Sequence, residues 1–219
     1  MRGVFVTGTG TEVGKTVVAA TIACTHAKRG ERVAVFKPAV SGLQAGGEPD
    51  HELLRRAAGS AQGDDEIAPY RYRLPVSPHL GAELAGEAID PARLRSAASD
   101  AVSSADLVVV EGVGGFLVPL TLGYLVRDFA RDLGLPVVVA GPPGLGAINH
   151  TLLTVEAVRS VGLDVAAVVL TPWPESPDEV ERSNREAIER LGTVRVEPLG
   201  RLDLSEPDTW PPLDLALAR

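Results

Sequence analysis

Short apolar runs, each followed by a longer segment with helical spacing, recur along this chain, and that rhythm limits its fold more than any other feature. GVFVT (3–7) leads into a helix from about Gly14 to Arg29, and ERVAVFKP (31–38) forms a second strand that stops at a proline. Helical stretches follow at about 50–58 and 91–104. ADLVVVEG (105–112), VVVAG (137–141), VAAVVLT (165–171) and VRVEPLG (194–200) supply four more strands, with helix-like segments between them at about 123–134, 146–161 and 177–191. Strands alternating with helices of this length join through right-handed crossovers. The spacing therefore predicts an α/β fold, a mostly parallel, doubly wound sheet flanked by helices. Aromatic residues are only 4%, so the core must be built mainly from Val, Leu, Ala and Ile, which suits strands covered on both faces.

Two stretches break the rhythm. SGLQAGGEPD (41–50) reads as a glycine-rich loop after the second strand, and APYRYRLPVSPHL (68–80) carries three prolines. Loops this long inside a compact body are usually functional. No repeat or linker divides residues 1–219, so a single domain is expected, its tail DTWPPLDLALAR closing as a short helix against the body. The formal net charge of −8 disfavours nucleic acid and anionic membrane as partners. No apolar stretch approaches the ~20 residues that span a bilayer. The opening residues lack the pattern of a signal peptide. The one cysteine, Cys24, rules out an internal disulfide and fits a reducing compartment. A cytoplasmic location is the expectation.

GTGTEVGKT (8–16) lies between the first strand and the first helix. The usual phosphate loop has four residues between its glycine and Gly-Lys-Ser/Thr, and here Thr9 stands where that glycine belongs. A dinucleotide-binding turn would need neither Lys15 nor Thr16. It would want an acid at the end of the second strand, which instead ends in Phe36-Lys37-Pro38. A phosphate loop is favoured over that turn and over a plain flexible turn. Backbone N–H groups of Val13, Gly14, Lys15, Thr16 and Val17 would face an anion, Lys15 would reach between β- and γ-phosphates, and the Thr16 hydroxyl suits Mg²⁺.

Other strand ends add to this. Glu111 closes an apolar strand at the edge where such sheets bind ligands, and it can hold a metal or be a solvated strand-end carboxylate. Gly112, Val113 and Gly114 follow it with small residues that let backbone amides approach a ligand. Lys37 ends the second strand with Ser41 soon after, placing a second cation where a transferring phosphoryl group carries charge. Asp50 opens the next helix, and on its own reads as an N-cap. The histidines show no paired metal spacing, and no Ser-His-Asp set appears.

Taken together, TGTGTEVGKT (7–16), FKPAVSG (36–42), SPHL (77–80), VEGVGGFLVPL (110–120) and GAINHTLLT (146–154) resemble, in order, segments of the dethiobiotin synthetases. That family's phosphate loop has five residues between its glycines, which accounts for the misfit at Thr9. The resemblance implies a phosphate-loop NTPase fold and an ATP- and Mg²⁺-dependent ligase that closes 7,8-diaminononanoate and CO₂ into a cyclic urea. It implies that Lys15 and Lys37 are catalytic and that Thr16, Asp50 and Glu111 bind Mg²⁺. Thr11 and Ser41 would line the diamine region, and Glu12 would lie near the nucleotide. The family works as a homodimer, so Gly146, Ala147, Ile148 and Asn149 of one subunit would bind the diamine's carboxylate in the other's site. Without the resemblance, Asn149 reads as an exposed helix-opening residue. The nucleotide base would meet Thr171, Pro172, Leu202, Asp203 and Leu204. Many members carry Asn-Asp where this chain has Thr171-Pro172, which predicts a relaxed base preference. The alternative is a MinD/ParA-like switch ATPase. Such proteins usually carry an extra lysine early in the loop, and positions 8–13 hold none.

Overall fold

The computed structural model describes residues 2–103 and 105–215. In chain order its elements are β1 (Gly3–Gly8), α1 (Lys15–Ala27), β2 (Val33–Phe36), α2 (Asp50–Ala58), α3 (Asp64–Ile67), α4 (Pro78–Ala85), α5 (Pro91–Ser103) and β3 (Leu107–Glu111). Then come β4 (Pro119–Thr121), β5 (Tyr124–Leu125), α6 (Val126–Leu133), β6 (Val137–Gly141), α7 (Ala147–Arg159), β7 (Val165–Trp173), α8 (Glu179–Gly192) and β8 (Val196–Gly200).

Six strands form one sheet in the order β2-β3-β1-β6-β7-β8, and every neighbouring pair is parallel. Phe5 on the central β1 stands level with Val110 on one side and Val137 on the other. Because side chains alternate along a strand, Phe5 faces one layer while Val4 and Val6 face the other. Phe129 of α6 meets Phe5 edge-on at 6.1 Å and Phe36 at 5.9 Å, closing the first layer. Val126, Phe129 and Ala130 are its buried positions, three and four residues apart on one helix face. The opposite layer is α1 and α2 packed on Val6, Val35, Val109 and Val138.

All six carboxyl ends share one edge of the sheet, which gathers the residues after β1, β2 and β3 there. β2 does not neighbour β1, because β3 lies between them, yet Lys37 at the end of β2 and Thr16 at the start of α1 meet on Glu111 at the end of β3. The 68–80 segment is also more structured than a loop. Val40 and Arg71 form a parallel bridge, and α4 begins at Pro78. Likewise the helix expected from 123 starts at Val126, after the β4–β5 hairpin.

The tail departs from the expected helix. After a single 3-10 turn at Pro207–Thr209, the described residues through 215 take no regular secondary structure. Pro211 and Pro212 remove two amide donors in succession, which a helix interior does not tolerate. Trp210, Leu213 and Leu215 are instead buried singly against the α1 layer. Lys28 donates to the carbonyls of Pro207 and Asp208, both at 3.0 Å, and of Trp210 at 3.4 Å. The Trp210 indole N–H donates to the Asp203 carbonyl at 2.7 Å, so residues 201–215 form a strap across α1. Residues 216–219 of the expected helix lie outside those described.

Candidate active site

The turn between β1 and α1 is shaped by two glycines. Gly14 has φ 85°, and a Cβ there would lie 2.5 Å from the Thr171 Cγ2 atom of β7. At Gly8 a Cβ would lie 2.6 Å from Val13 and 2.8 Å from Lys15. Glu12 also takes a positive φ of 59°, uncommon for a residue with a side chain. The turn curls so that the Lys15 ammonium donates to the Gly10 carbonyl at 2.7 Å. Burial, the leading cause, holds the Lys15 pKa below its ordinary value, against the pull of Glu111.

Beside this loop, Lys37 lies between two carboxylates. Its Nζ is 2.5 Å from Glu111 Oε1 and 2.7 Å from Asp50 Oδ2, and Thr16 Oγ1 donates to the same Glu111 oxygen at 2.9 Å. Lys37 is 3% exposed and Glu111 fully buried. Burial alone would depress the lysine, but Glu111 and Asp50 outweigh it and hold Lys37 above its ordinary value, charged at neutral pH. For Asp50 burial is likewise overcome by Lys37, aided by Thr16, and its carboxyl sits low. Burial dominates at Glu111 and pushes it up despite Lys37. Asp50 is the first residue of α2, and Pro49 occupies the cap position, so the N-cap reading of Asp50 is corrected.

These groups share one cavity of about 620 Å³. Thr11, Glu12, Val13, Gly14, Lys15, Thr16, Val17, Lys37, Ser41, Asp50, Glu111, Val113, Gly114 and Leu204 all line it. Gly112 is buried behind the wall, and Thr171, Pro172, Leu202 and Asp203 do not line the cavity. Thr171 stands behind Gly14 instead, and Asp203 turns to Ser205, whose N–H and hydroxyl donate to its Oδ1. Gly146, Ile148 and Asn149 line a different, open groove on α7 with Leu145 and Asn184, while Ala147 is buried.

Donors for a divalent cation are present. Glu111 Oε2 is buried without a hydrogen-bond partner, and with Thr16 and Asp50 it makes an all-oxygen set of the kind Mg²⁺ takes. Among the described residues no three His, Cys, Asp or Glu side chains group closely enough to hold a metal by themselves. A set of two carboxylates and a hydroxyl fits a cation that completes its shell with phosphate oxygens and water.

A family model described as an AAA domain matches residues 2–210. The ATP-dependent dethiobiotin synthetase BioD of Bacillus subtilis (strain 168) is 37% identical over 90% of this chain and 85% of its own length. The enzyme of the same name from Anaeromyxobacter dehalogenans (strain 2CP-1) is 43% identical over 95% of this chain and 92% of its own. The chain belongs to the dethiobiotin synthetase family. It is thus placed among ATP-dependent ligases of biotin biosynthesis. A solved structure of the signal recognition particle 54 kDa protein from Aeropyrum pernix K1, in complex with GDP, shares the fold at a TM-score of 0.53 and 16% identity. It covers 94% of this chain and 42% of that one.

Against the residues expected of a dethiobiotin synthetase, the cavity adds several that the sequence did not single out. Pro75 and Val76 line it beside Ser77 and Pro78 of the SPHL segment. Glu48 and Leu53 line it too. No helix of the described residues is long and apolar enough to cross a membrane.

Proposed function

We propose that this chain, as one domain, makes dethiobiotin from 7,8-diaminononanoate, CO₂ and a nucleoside triphosphate. The observation that carries the proposal is Lys37: a second buried cation in the phosphate-loop cavity, paired with two acids and facing the 75–78 wall. A phosphate-binding loop alone needs Lys15. A ligase that activates a carboxylate needs a further positive charge where that carboxylate meets the γ-phosphate.

The chemistry balances as follows. One amine nitrogen of the diamine bonds to CO₂ and loses a proton, giving a carbamate. A carbamate oxygen attacks the γ-phosphorus, the bond to the β-phosphate oxygen breaks, and the nucleoside diphosphate leaves. The second amine then attacks the activated carbon, inorganic phosphate departs with its oxygen, and a second proton is lost as the urea ring closes. Holding both amines on one substrate makes the last step intramolecular.

Lys15 and the loop amides from Val13 to Val17 grip the phosphates, and Gly112 to Gly114 pack beside them. Thr11, Glu12 and Ser41 line the diamine and phosphate region. The Lys37 ammonium stabilises the carbamate and the moving phosphoryl group. Thr16, Asp50 and Glu111 would hold Mg²⁺, which when bound neutralises charge on the phosphate oxygens.

The protein acts as a homodimer, with the start of α7 from a second copy binding the substrate carboxylate through Gly146 to Asn149. Amides at a helix start and an Asn side chain suit a carboxylate. Leu145 at 99% exposure and Leu153 line the groove on α7, and Leu153 and Leu117 line the next one, which supports an interface on this side.

The test is phosphate release from Mg-ATP with and without diaminononanoate and bicarbonate. Release that requires both co-substrates is expected. Release indifferent to both would make the chain a phosphate-loop ATPase of the switch kind.

A further inference from the structure

Arg56, on the outer face of α2, ties together two walls of the cavity that are far apart in sequence. Its guanidinium grips Glu48 with two bonds, Nε to Oε1 at 3.0 Å and Nη2 to Oε2 at 2.6 Å. The same Nη2 donates to the Leu204 carbonyl at 2.8 Å. Glu48 and Leu204 both line the cavity, one from the glycine-rich segment that leads into Asp50, the other from the strap after β8. The strap is pinned downstream by Lys28 and Trp210, and Arg56 takes hold of it at the cavity. We infer that Arg56 is a positioning residue, which sets the width of the cavity beside Leu204, where the family resemblance puts the nucleotide base, by fixing Glu48 against Leu204.

The planar fork explains why arginine serves here. Two parallel bonds orient the Glu48 carboxylate, and a further N–H on the same plane is left for a backbone carbonyl. A lysine has no such plane and cannot hold both partners in a fixed relation. Because the group is partly exposed, each bond is worth little by itself. What matters is that all three converge on one side chain.

The inference rests on reading the cavity as a nucleotide site, and its test is therefore a binding measurement that needs no turnover. Calorimetry on the intact chain would compare Mg-ATP with inorganic tripolyphosphate, which lacks the nucleoside. Arg56→Ala should weaken ATP about fivefold while tripolyphosphate changes by less than about twofold. Arg56→Lys should recover only part of the loss. The exchanged pair Arg56→Glu with Glu48→Arg should stay as weak as Arg56→Ala, because it restores the ion pair but turns a carboxylate toward the Leu204 carbonyl. Equal weakening of both ligands would mean general damage to the phosphate loop and overturn the inference, as would unchanged ATP affinity. Should Arg56→Ala fold poorly, Glu48→Gln decides: it should weaken ATP alone at an unchanged Tm, and no effect would again overturn the inference. Failure of diamine-dependent phosphate release would sink the synthetase reading and leave this binding result intact.

Discussion

In the part of the cavity proposed to hold the acceptor, Lys37 lies between Glu111 at the end of β3 and Asp50 at the start of α2. Beside Leu204, where the nucleoside is proposed to lie, Arg56 and Glu48 have 38% and 35% of their side chains exposed, and their third partner is a backbone carbonyl of the strap. Lys37 and Glu111 are both buried, although Asp50 has 44% of its side chain exposed, whereas both members of the Arg56–Glu48 pair have water at hand. Removing a partner from the first leaves a desolvated charge, whereas at the second water takes over. The acceptor end should therefore tolerate almost no change, and the nucleoside end should adjust by degrees.

The sharpest way to break this contrast is Lys37→Ala. It should lower kcat by about 1,000-fold, the scale on which a charge-stabilising donor acts, while nucleotide affinity changes only a few-fold. Steady-state kinetics beside ATP calorimetry would check it, and equal losses in both would reduce Lys37 to a nucleotide contact. Glu111→Ala removes the buried one of the two partners and leaves Lys37 with Asp50. Urea unfolding should show a loss of roughly 1.5–3 kcal/mol, the scale of one hydrogen bond to a charged group. A loss near zero would mean that water already reaches the pair.

At the nucleoside end the expected effects shrink. With Thr171 behind the phosphate loop, base discrimination has few polar groups to act through, so kcat/KM for ATP, GTP, CTP and UTP should fall within about tenfold. ATP leading by orders of magnitude would show that some other group reads adenine.

Asp178, far from both ends, supplies a control. Its carboxylate accepts from the Val180 and Glu181 amides at the start of α8, and those backbone bonds, with Glu181, hold its pKa below the ordinary value. A depressed folded pKa means stability that is present above the unfolded value and lost as pH falls through the folded one. Asp178→Ala should lower Tm slightly at pH 7, with the gap to wild type closing below about pH 4. Neither kinetics nor base preference should move.

The acceptor end was legible in the sequence because its parts terminate apolar runs. VAVFK and LVVVE place Lys37 and Glu111 at strand ends whatever the strand order, and the shared edge does the rest. The order itself was not legible: nothing local to ERVAVFKP says that β3 intervenes between β2 and β1. Asp50 misleads alone because a helix-opening aspartate is usually a cap, and only the position of Lys37 reveals its other use. Arg56 was invisible for a different reason. A charged residue on an amphipathic helix reads as solvated, and its carbonyl partner lies 148 positions away. The helix expected at the tail ran against the tail's own pattern: Pro211 and Pro212 open it, and Leu213 and Leu215 follow with a period of two, which does not make a helical stripe.

The contact of Gly14 with Thr171 joins two properties that are usually discussed apart. Residue 171 sits at the strand end where the family resemblance puts the base, yet its methyl group packs behind Gly14 of the turn between β1 and α1. A lineage that refined its taste in nucleobases by enlarging this position would push on the turn, and no side chain at 14 could fill the space in return. Selectivity and grip are thus inherited together at this place, and a change in one has to be absorbed by the other.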